Sequence, residues 1–350
     1  MSSGYDGRMA DSQSSVMITG GAGFIGSTLV RQWLEHERER VVNFDKLTYA
    51  GLPESLEEAA EHPMYTFVHG DVAEPAAVAG TLLEHRPTTI LHLAAESHVD
   101  RSISEPPLFA QTNVLGTCVL LDAATKYWHS LAGKQREAFR FVLISTDEVF
   151  GSAAPGEHFT TSSPLRPSSP YAASKAAAEH FAQSFAHTYG LPLLIVNPTN
   201  HYGPRQFPEK LIPKMILAAA AGEPLMLYGD GLHERDWLNV EDGCRGIRAV
   251  ARRGIPGKRY LLGSGKCLTN REVVNAICDC LDERLGNKES TRLIAAVADR
   301  PGHDRRYAVE SAAPELQWQP EVPFNEGIVQ TVEWYLENTS WIDAATASLG

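Results

Sequence analysis

Between an apolar run and a stretch of helical spacing the chain reads Thr19-Gly20-Gly21-Ala22-Gly23-Phe24-Ile25-Gly26. Gly20, Gly23 and Gly26 have G-x-x-G-x-x-G spacing, and Gly21, Gly23 and Gly26 also satisfy G-x-G-x-x-G. Glycine permits the tight turn and lets main chain approach a pyrophosphate, while the first turn of the helix offers unpaired N–H groups. A glycine triplet alone is weak. Here Val16–Thr19 reads as the preceding strand, Phe24–His36 as the helix and Val41–Phe44 as the next strand, which is the context the motif requires. The second strand ends at Asp45, where an acid binds the ribose hydroxyls of an adenosine and repels the extra phosphate of NADP. The pattern therefore points to NAD. Lys46 beside it works slightly the other way. Asp71, after a third strand at Phe67–His69, is read either as an adenine contact or as a turn carboxylate capping the next helix.

The alternation continues with a helix near Pro75–Glu84, a strand at Ile90–Leu93, a long helical segment from Pro107 to Trp128 and a strand at Arg140–Ser145. A further helix runs from Tyr171 to Tyr189, followed by a strand at Leu193–Val196. This order predicts an α/β fold: a Rossmann-type, doubly wound parallel sheet with ligands beyond the carboxyl ends of its strands. From about residue 198 the pattern loosens into short elements punctuated by proline and glycine. The expected organisation is an extension at 1–15, disordered and polar, an NAD-binding domain at 16–197, and a smaller C-terminal part at 198–350. The last part mainly binds substrate and sends segments back to the first. No run approaches the ~18 apolar residues that span a bilayer, and residues 1–15 lack the pattern of a signal peptide. A net charge of −12 disfavours nucleic acid and anionic membranes as partners. Cys118, Cys244, Cys267, Cys278 and Cys280 show no zinc spacing and read as free thiols of a cytoplasmic protein, with no metal site.

Tyr171-Ala172-Ala173-Ser174-Lys175 opens a helix after Pro170, placing Tyr171 and Lys175 on one face. A nearby ammonium favours phenolate, so Tyr171 is expected to have a lowered pKa and to take a proton from a sugar hydroxyl. Ser145-Thr146-Asp147-Glu148 ends a hydrophobic strand. On a regular strand Asp147 and Glu148 would point to opposite faces, so both reach one substrate only if the strand ends near Thr146. Two adjacent acids in unlike surroundings can divide acid and base roles; a solvated loop pair is the plainer alternative.

With these segments the chain resembles the extended short-chain dehydrogenase/reductases and, within them, the dTDP-glucose 4,6-dehydratases. The resemblance is carried by Thr19–Gly26, Asp45–Gly51, His92–Ser102, Ser145–Val149, Tyr171–Lys175, Phe207–Pro213, Arg235–Trp237 and Asp299–Asp304. It implies a homodimer and a three-stage reaction on a nucleotide-sugar, with dTDP-glucose expected. Tyr171, assisted by Thr146 and Lys175, takes the C4 hydroxyl proton as C4 is oxidised by NAD. Glu148 removes the C5 proton while Asp147 protonates the departing C6 hydroxyl, and C6 is then reduced. The implied cofactor residues are Gly20, Gly23, Phe24, Ile25, Gly26, Asp45, Lys46, Thr48, Asp71, Val72, Leu93, Ala94, Ala95, Thr112, Tyr171, Lys175 and Asn200. The implied substrate residues are Ser97, Thr146, Asn200, Glu209, Lys210, Leu211, Tyr228, Arg235, Asn270, Arg300 and His303. Arg235 and Arg300 suit a diphosphate, with pairing to Asp236 or Asp304 as the alternative. Tyr228 is read as a base-stacking or a core tyrosine. Phe150 stands where this family usually has tyrosine, and Pro198-Thr199 and His201 also depart from its pattern. Three other readings stay open: a 4,6-dehydratase of another sugar nucleotide, a UDP-sugar 4-epimerase or decarboxylase, and a non-catalytic NAD-binding regulator.

Overall fold

The computed structural model describes residues 14–286, 289–311 and 313–348. Twelve strands are present among them: β1 (Ser15–Thr19), β2 (Arg40–Asp45), β3 (Tyr65–His69), β4 (Thr89–His92), β5 (Arg140–Ile144), β6 (Leu193–Pro198), β7 (Asn200–Tyr202), β8 (Leu225–Tyr228), β9 (Glu234–Asn239), β10 (Arg259–Leu262), β11 (Cys267–Thr269) and β12 (Ile294–Val297). Seven of them form one sheet in the order β10-β6-β5-β4-β1-β2-β3, with every neighbouring pair parallel. The order reverses between β1 and β4, which opens a crevice at the carboxyl ends of those two strands.

Apart from the edge strand β3, the strands of this sheet are buried on both faces, as a parallel sheet demands. Val16 and Ile18 of β1 enter a core with Leu29, Trp33, Ile247 and Val250. Met17, between them, enters the opposite core with Val78, Leu82, Leu120 and Leu121. The first core lies under the helices Phe24–His36 and Val240–Arg253, the second under Pro75–His85 and Thr117–Ser130. A third core joins Ile212, Met215, Leu225, Trp237, Val273, Ile277, Ile328 and Val332, all from the C-terminal half. That half also returns β10 and the helix Val240–Arg253 to the parallel sheet. Elsewhere β9 lies between β7 and β11, and β8 pairs with β12.

Three sequence readings shift. Ser15, placed in the N-terminal extension, is the first residue of β1 and pairs with Arg40 because the edge hydrogen bonds continue one residue further; residues 1–13 of that extension lie outside the described residues. The long helical segment at 107–128 is three pieces: an α-turn at Pro106–Phe109, a π-helical stretch at Ala110–Gly116 and a helix at Thr117–Ser130. β5 stops at Ile144, and Asp147–Phe150 form a 3-10 turn. The Thr146 hydroxyl caps that turn by accepting from the Glu148 N–H at 3.2 Å. The strand thus ends where two adjacent acids require it to end.

Candidate active site

All residues nominated from the sequence line one cavity of about 940 Å³ at the carboxyl edge of the sheet. Its cofactor end contains Gly20, Gly23, Phe24, Ile25 and Gly26 after β1; Asp45 at the end of β2 with Lys46 and Thr48 following it; Asp71 and Val72 after β3; Leu93, Ala94 and Ala95 after β4; and Thr112 and Asn200. Gly20 has φ +72°, and a Cβ there would lie 2.7 Å from the Ala94 main chain. A Cβ on Gly26 would lie 2.1 Å from the Gly20 carbonyl oxygen. The helix at Phe24 has no side chain capping its first turn, so its N–H groups remain open to an anion. Asp45 braces the loop: its carboxylate accepts from the Ala22 and Leu47 N–H groups, each at 2.8 Å. This cradle fits a dinucleotide pyrophosphate. Lys46 is held by Asp71 at 2.8 Å, which neutralises the charge that had weighed toward NADP. Asp71 also accepts from the Ala73 N–H at 2.8 Å, bracing the turn without capping the helix Pro75–His85, whose N-cap is Glu74, and it still faces the cavity.

The centre of the cavity holds Thr146, Asp147, Glu148, Tyr171 and Lys175. Ser169 caps the helix Pro170–Tyr189 by accepting from the Ala172 N–H, and Pro170 occupies its first turn. Tyr171 thereby starts the helix against the end of β5. Burial raises the Tyr171 pKa, and the nearby Glu148 and Asp147 raise it further, while the Thr146 hydroxyl lowers it. This overturns the expectation of a lysine-lowered phenol. The Lys175 ammonium donates to the Ile144 carbonyl at 2.8 Å, and burial brings its own pKa to about 8.

The two carboxyls have unlike surroundings. Asp147 is buried, and burial, Glu148 and Asp236 raise its pKa well above the usual value against a single cation, Arg235. Its Oδ2 has no hydrogen-bond partner among the described residues. Burial also raises Glu148, but Arg235, Arg300 and Lys210 all pull it down. Asp147 is therefore the better-held acid and Glu148 the better-held base.

The far end gathers Ser97, Glu209, Lys210, Leu211, Tyr228, Arg235, Asn270, Arg300 and His303. Arg300 pairs with Asp100 at 2.9 Å, not with Asp304, and Tyr228 donates to the same Asp100 at 3.0 Å. Tyr228 thus faces the cavity at its wall and is not a core residue. Arg235 is almost wholly buried; it donates to the Asp304 carbonyl at 2.9 Å and stacks over Tyr307 at 4.2 Å. Lys210 donates to the Ser97 carbonyl at 2.9 Å. Glu209 accepts from the Tyr49 hydroxyl at 3.0 Å. His303 is bonded to Asp299 at 2.6 Å and stacked on His233 at 3.7 Å. These three residues could hold a cation, yet Arg300 and Arg235 face His303 and oppose one. Buried Asn200 Oδ1, Asn270 Oδ1, Trp237 Nε1 and Arg300 Nε also line the cavity with no partner among the described residues, as groups that meet a polar ligand would.

Sequence reading passed over Asp100, Trp237 and Tyr307, which line the same cavity. Asp100 and Trp237 lie inside segments already singled out, and Tyr307 lies three residues beyond one. The signal was present, but nothing local tells which member of such a run turns inward.

The model of the GDP-mannose 4,6-dehydratase family matches residues 17–331. A dTDP-glucose 4,6-dehydratase of Xanthomonas campestris pv. campestris (strain B100) is 49% identical over 331 residues, 93% of this chain and 94% of that protein. The crystal structure of DesIV, a dTDP-glucose 4,6-dehydratase from Streptomyces venezuelae with NAD and dTDP bound, superposes with a TM-score of 0.87. It is 41% identical and the match covers 95% of this chain and 99% of that one. A UDP-glucose 4-epimerase of Thermus thermophilus in complex with NAD superposes with a TM-score of 0.80 at 32% identity, over 93% of this chain and 99% of that one.

Proposed function

The chain belongs to the dTDP-glucose 4,6-dehydratase family, within the wider group that the GDP-mannose 4,6-dehydratase model describes, and from that premise we infer how its residues divide the reaction. It is an NAD-dependent hydro-lyase that converts dTDP-glucose to dTDP-4-keto-6-deoxyglucose by C4 oxidation, loss of water across C5 and C6, and C6 reduction. The observation that carries the reading is the pair of buried carboxyls at the end of β5, Asp147 with more acids than cations around it and Glu148 with more cations than acids.

When bound, NAD supplies a reversible hydride acceptor whose oxidised ring is positively charged. Gly20, Gly26 and the open first turn at Phe24 hold its pyrophosphate, and Asp45 meets the adenosine ribose. Tyr171 takes the C4 hydroxyl proton, with Thr146 hydrogen-bonded to the same oxygen. Burial and the two carboxyls keep Tyr171 protonated otherwise, so proton uptake there depends on positive charge close by; we assign part of that charge to Lys175, one helical turn further along the same face. The C4 ketone acidifies the C5 hydrogen, and Glu148, kept ionisable by Arg235, Arg300 and Lys210, removes it. Asp147 delivers its proton to the departing C6 hydroxyl, which leaves as water, and Glu148 returns its proton to C5 as C6 is reduced. Arg235 and Arg300 lie at the nucleotide end and suit the diphosphate. Burial of the whole set excludes the water that would compete for the intermediate.

A 4-epimerase needs Tyr171 and Thr146 but has no task for two opposed carboxyls, and this argues for elimination. Incubation with dTDP-glucose, GDP-mannose and UDP-glucose tests the reading. A 4-keto-6-deoxy product from dTDP-glucose, seen by its alkaline absorbance, is expected. Recovery of unchanged hexose or of its C4 epimer would refute it.

We place the enzyme in the cytoplasm, in keeping with five unpaired cysteines. Among the described residues no helix is long and apolar enough to cross a membrane. A homodimer is supported by exposed Leu115, Phe181 and Tyr189 on and beside the helices Thr117–Ser130 and Pro170–Tyr189; sedimentation at two protein concentrations tests it.

A further inference from the structure

Behind the catalytic strand lies a charged group that the reaction does not use directly. Glu179 is fully buried in the helix Pro170–Tyr189, four residues after Lys175 and so on its face. Arg259, the first residue of edge strand β10, reaches in from the C-terminal half and meets Glu179 at 2.5 Å. The same guanidinium donates to Asn197 Oδ1 at 2.7 Å. Asn197 in turn donates from its amide nitrogen to the Thr146 carbonyl at 2.8 Å and to Glu179 at 2.6 Å. Arg259 also lies over the Phe150 ring, 5.5 Å from its centroid, at the far end of the turn that carries Asp147 and Glu148.

We propose that Arg259 is a positioning residue for the dehydration, holding Glu179 and Asn197 so that the Thr146–Glu148 turn and Lys175 keep their alignment. The proposal rests on the function assigned above. Its physical logic has two parts. A carboxylate without a partner at full burial is strongly disfavoured, and Arg259 is the cation that meets Glu179. Glu179 is also the acid whose charge acts on Lys175. The second part concerns the Asn197 amide. With Arg259 donating to its oxygen and with the Thr146 carbonyl and Glu179 accepting from its nitrogen, the amide is held at both ends; without Arg259 the oxygen is left unpaired and the hold on the Thr146 carbonyl is loosened. Either loss reaches the residue that touches C4. Phe150 presents its ring face to the same guanidinium, which ties Arg259 to the end of the catalytic turn.

The test compares wild type with Arg259→Met, Arg259→Lys and the double variant Arg259→Met/Glu179→Gln. Arg259→Met is expected to lower kcat by about ten- to a hundredfold, because small misplacements at a reacting centre cost that much. KM for dTDP-glucose should stay within about twofold, since no substrate contact is lost. Arg259→Lys should recover part of kcat. The double variant, with no buried unpaired carboxylate, keeps the test open should Arg259→Met fail to fold, and it should also show reduced kcat with near-normal KM. Amide hydrogen exchange over residues 145–151 should quicken in the variants, while the segment 16–26 is unchanged. This readout needs no substrate. A wild-type enzyme inactive on dTDP-glucose would therefore refute the functional reading and leave exchange to decide the positioning role. Normal kcat in a folded Arg259→Met or double variant, or unchanged exchange at 145–151, overturns the proposal.

Discussion

Around Gly20 and Gly26 the walls of the cavity are main chain, and the nearest obstacle to any added atom is a carbonyl oxygen or the Ala94 backbone. Around Asp147 and Glu148 the walls are charged side chains drawn from distant segments: Lys210, Arg235, Asp236, Arg300 and Asp304. One end is specified by how closely backbone can approach, over a short stretch of sequence. The other is specified by the balance of charges brought from the whole second half of the chain. The first should fail sharply on any added volume and tolerate changes in charge. The second should tolerate small changes in volume and fail when one proton changes place.

The largest effect expected from this contrast is at the carboxyls. Glu148→Gln preserves shape and removes the base, so turnover should fall by about 10²- to 10⁴-fold. Formation of reduced nicotinamide on adding dTDP-glucose should persist, because C4 oxidation precedes the step that is lost. Undiminished product formation would break the assignment of Glu148. Next is the glycine loop. Gly26→Ala puts a Cβ 2.1 Å from the Gly20 carbonyl, and overpacking of this kind costs about 1–3 kcal/mol. Weaker NAD binding by calorimetry and a lower Tm are expected. Gly23→Ala, whose nearest neighbour would be at 3.4 Å, should be much milder. Equal effects at the two positions would show that backbone approach is not what sets this end.

The effect that is smallest at neutral pH, and that grows on acidification, is a dependence of stability on pH. His92 and His201 are buried and held neutral, with pKa values brought by burial to about 3 and about 4. The unfolded chain takes up protons below about 6.5, which the folded chain does not. Stability should be unaffected by these groups above that value and should fall as the pH drops from about 6.5 toward 4. Thermal melts across that range check the sign, and His201→Asn should flatten the slope. The pH profile of kcat sharpens the contrast from the other end. Activity should fall on the acid side as Glu148 protonates, at a value raised by burial, and on the alkaline side as Asp147 loses its proton. The apparent values belong to the pair, and Asp147→Asn should move the alkaline limb.

Much of this could be read without coordinates. The glycine loop, Asp45 at a strand end, the Tyr171/Lys175 spacing and the requirement that β5 stop before Asp147 are local in sequence. Each follows from backbone geometry that a few neighbouring residues impose. The doubly wound sheet follows from the alternation of strands and helices for the same reason. Other features depend on chain segments far apart, and no local pattern encodes them. Arg300 meets Asp100 rather than its neighbour Asp304, and Lys46 is quenched by Asp71. Tyr171 has a raised pKa because two carboxyls share its burial, although Lys175 lies one helical turn away. Asp147 and Glu148 were adjacent acids in the sequence. Only the folded chain, by placing Asp236 near one and Arg300 and Lys210 near the other, makes them an acid and a base, because the energy of a charge is set by what surrounds it in space.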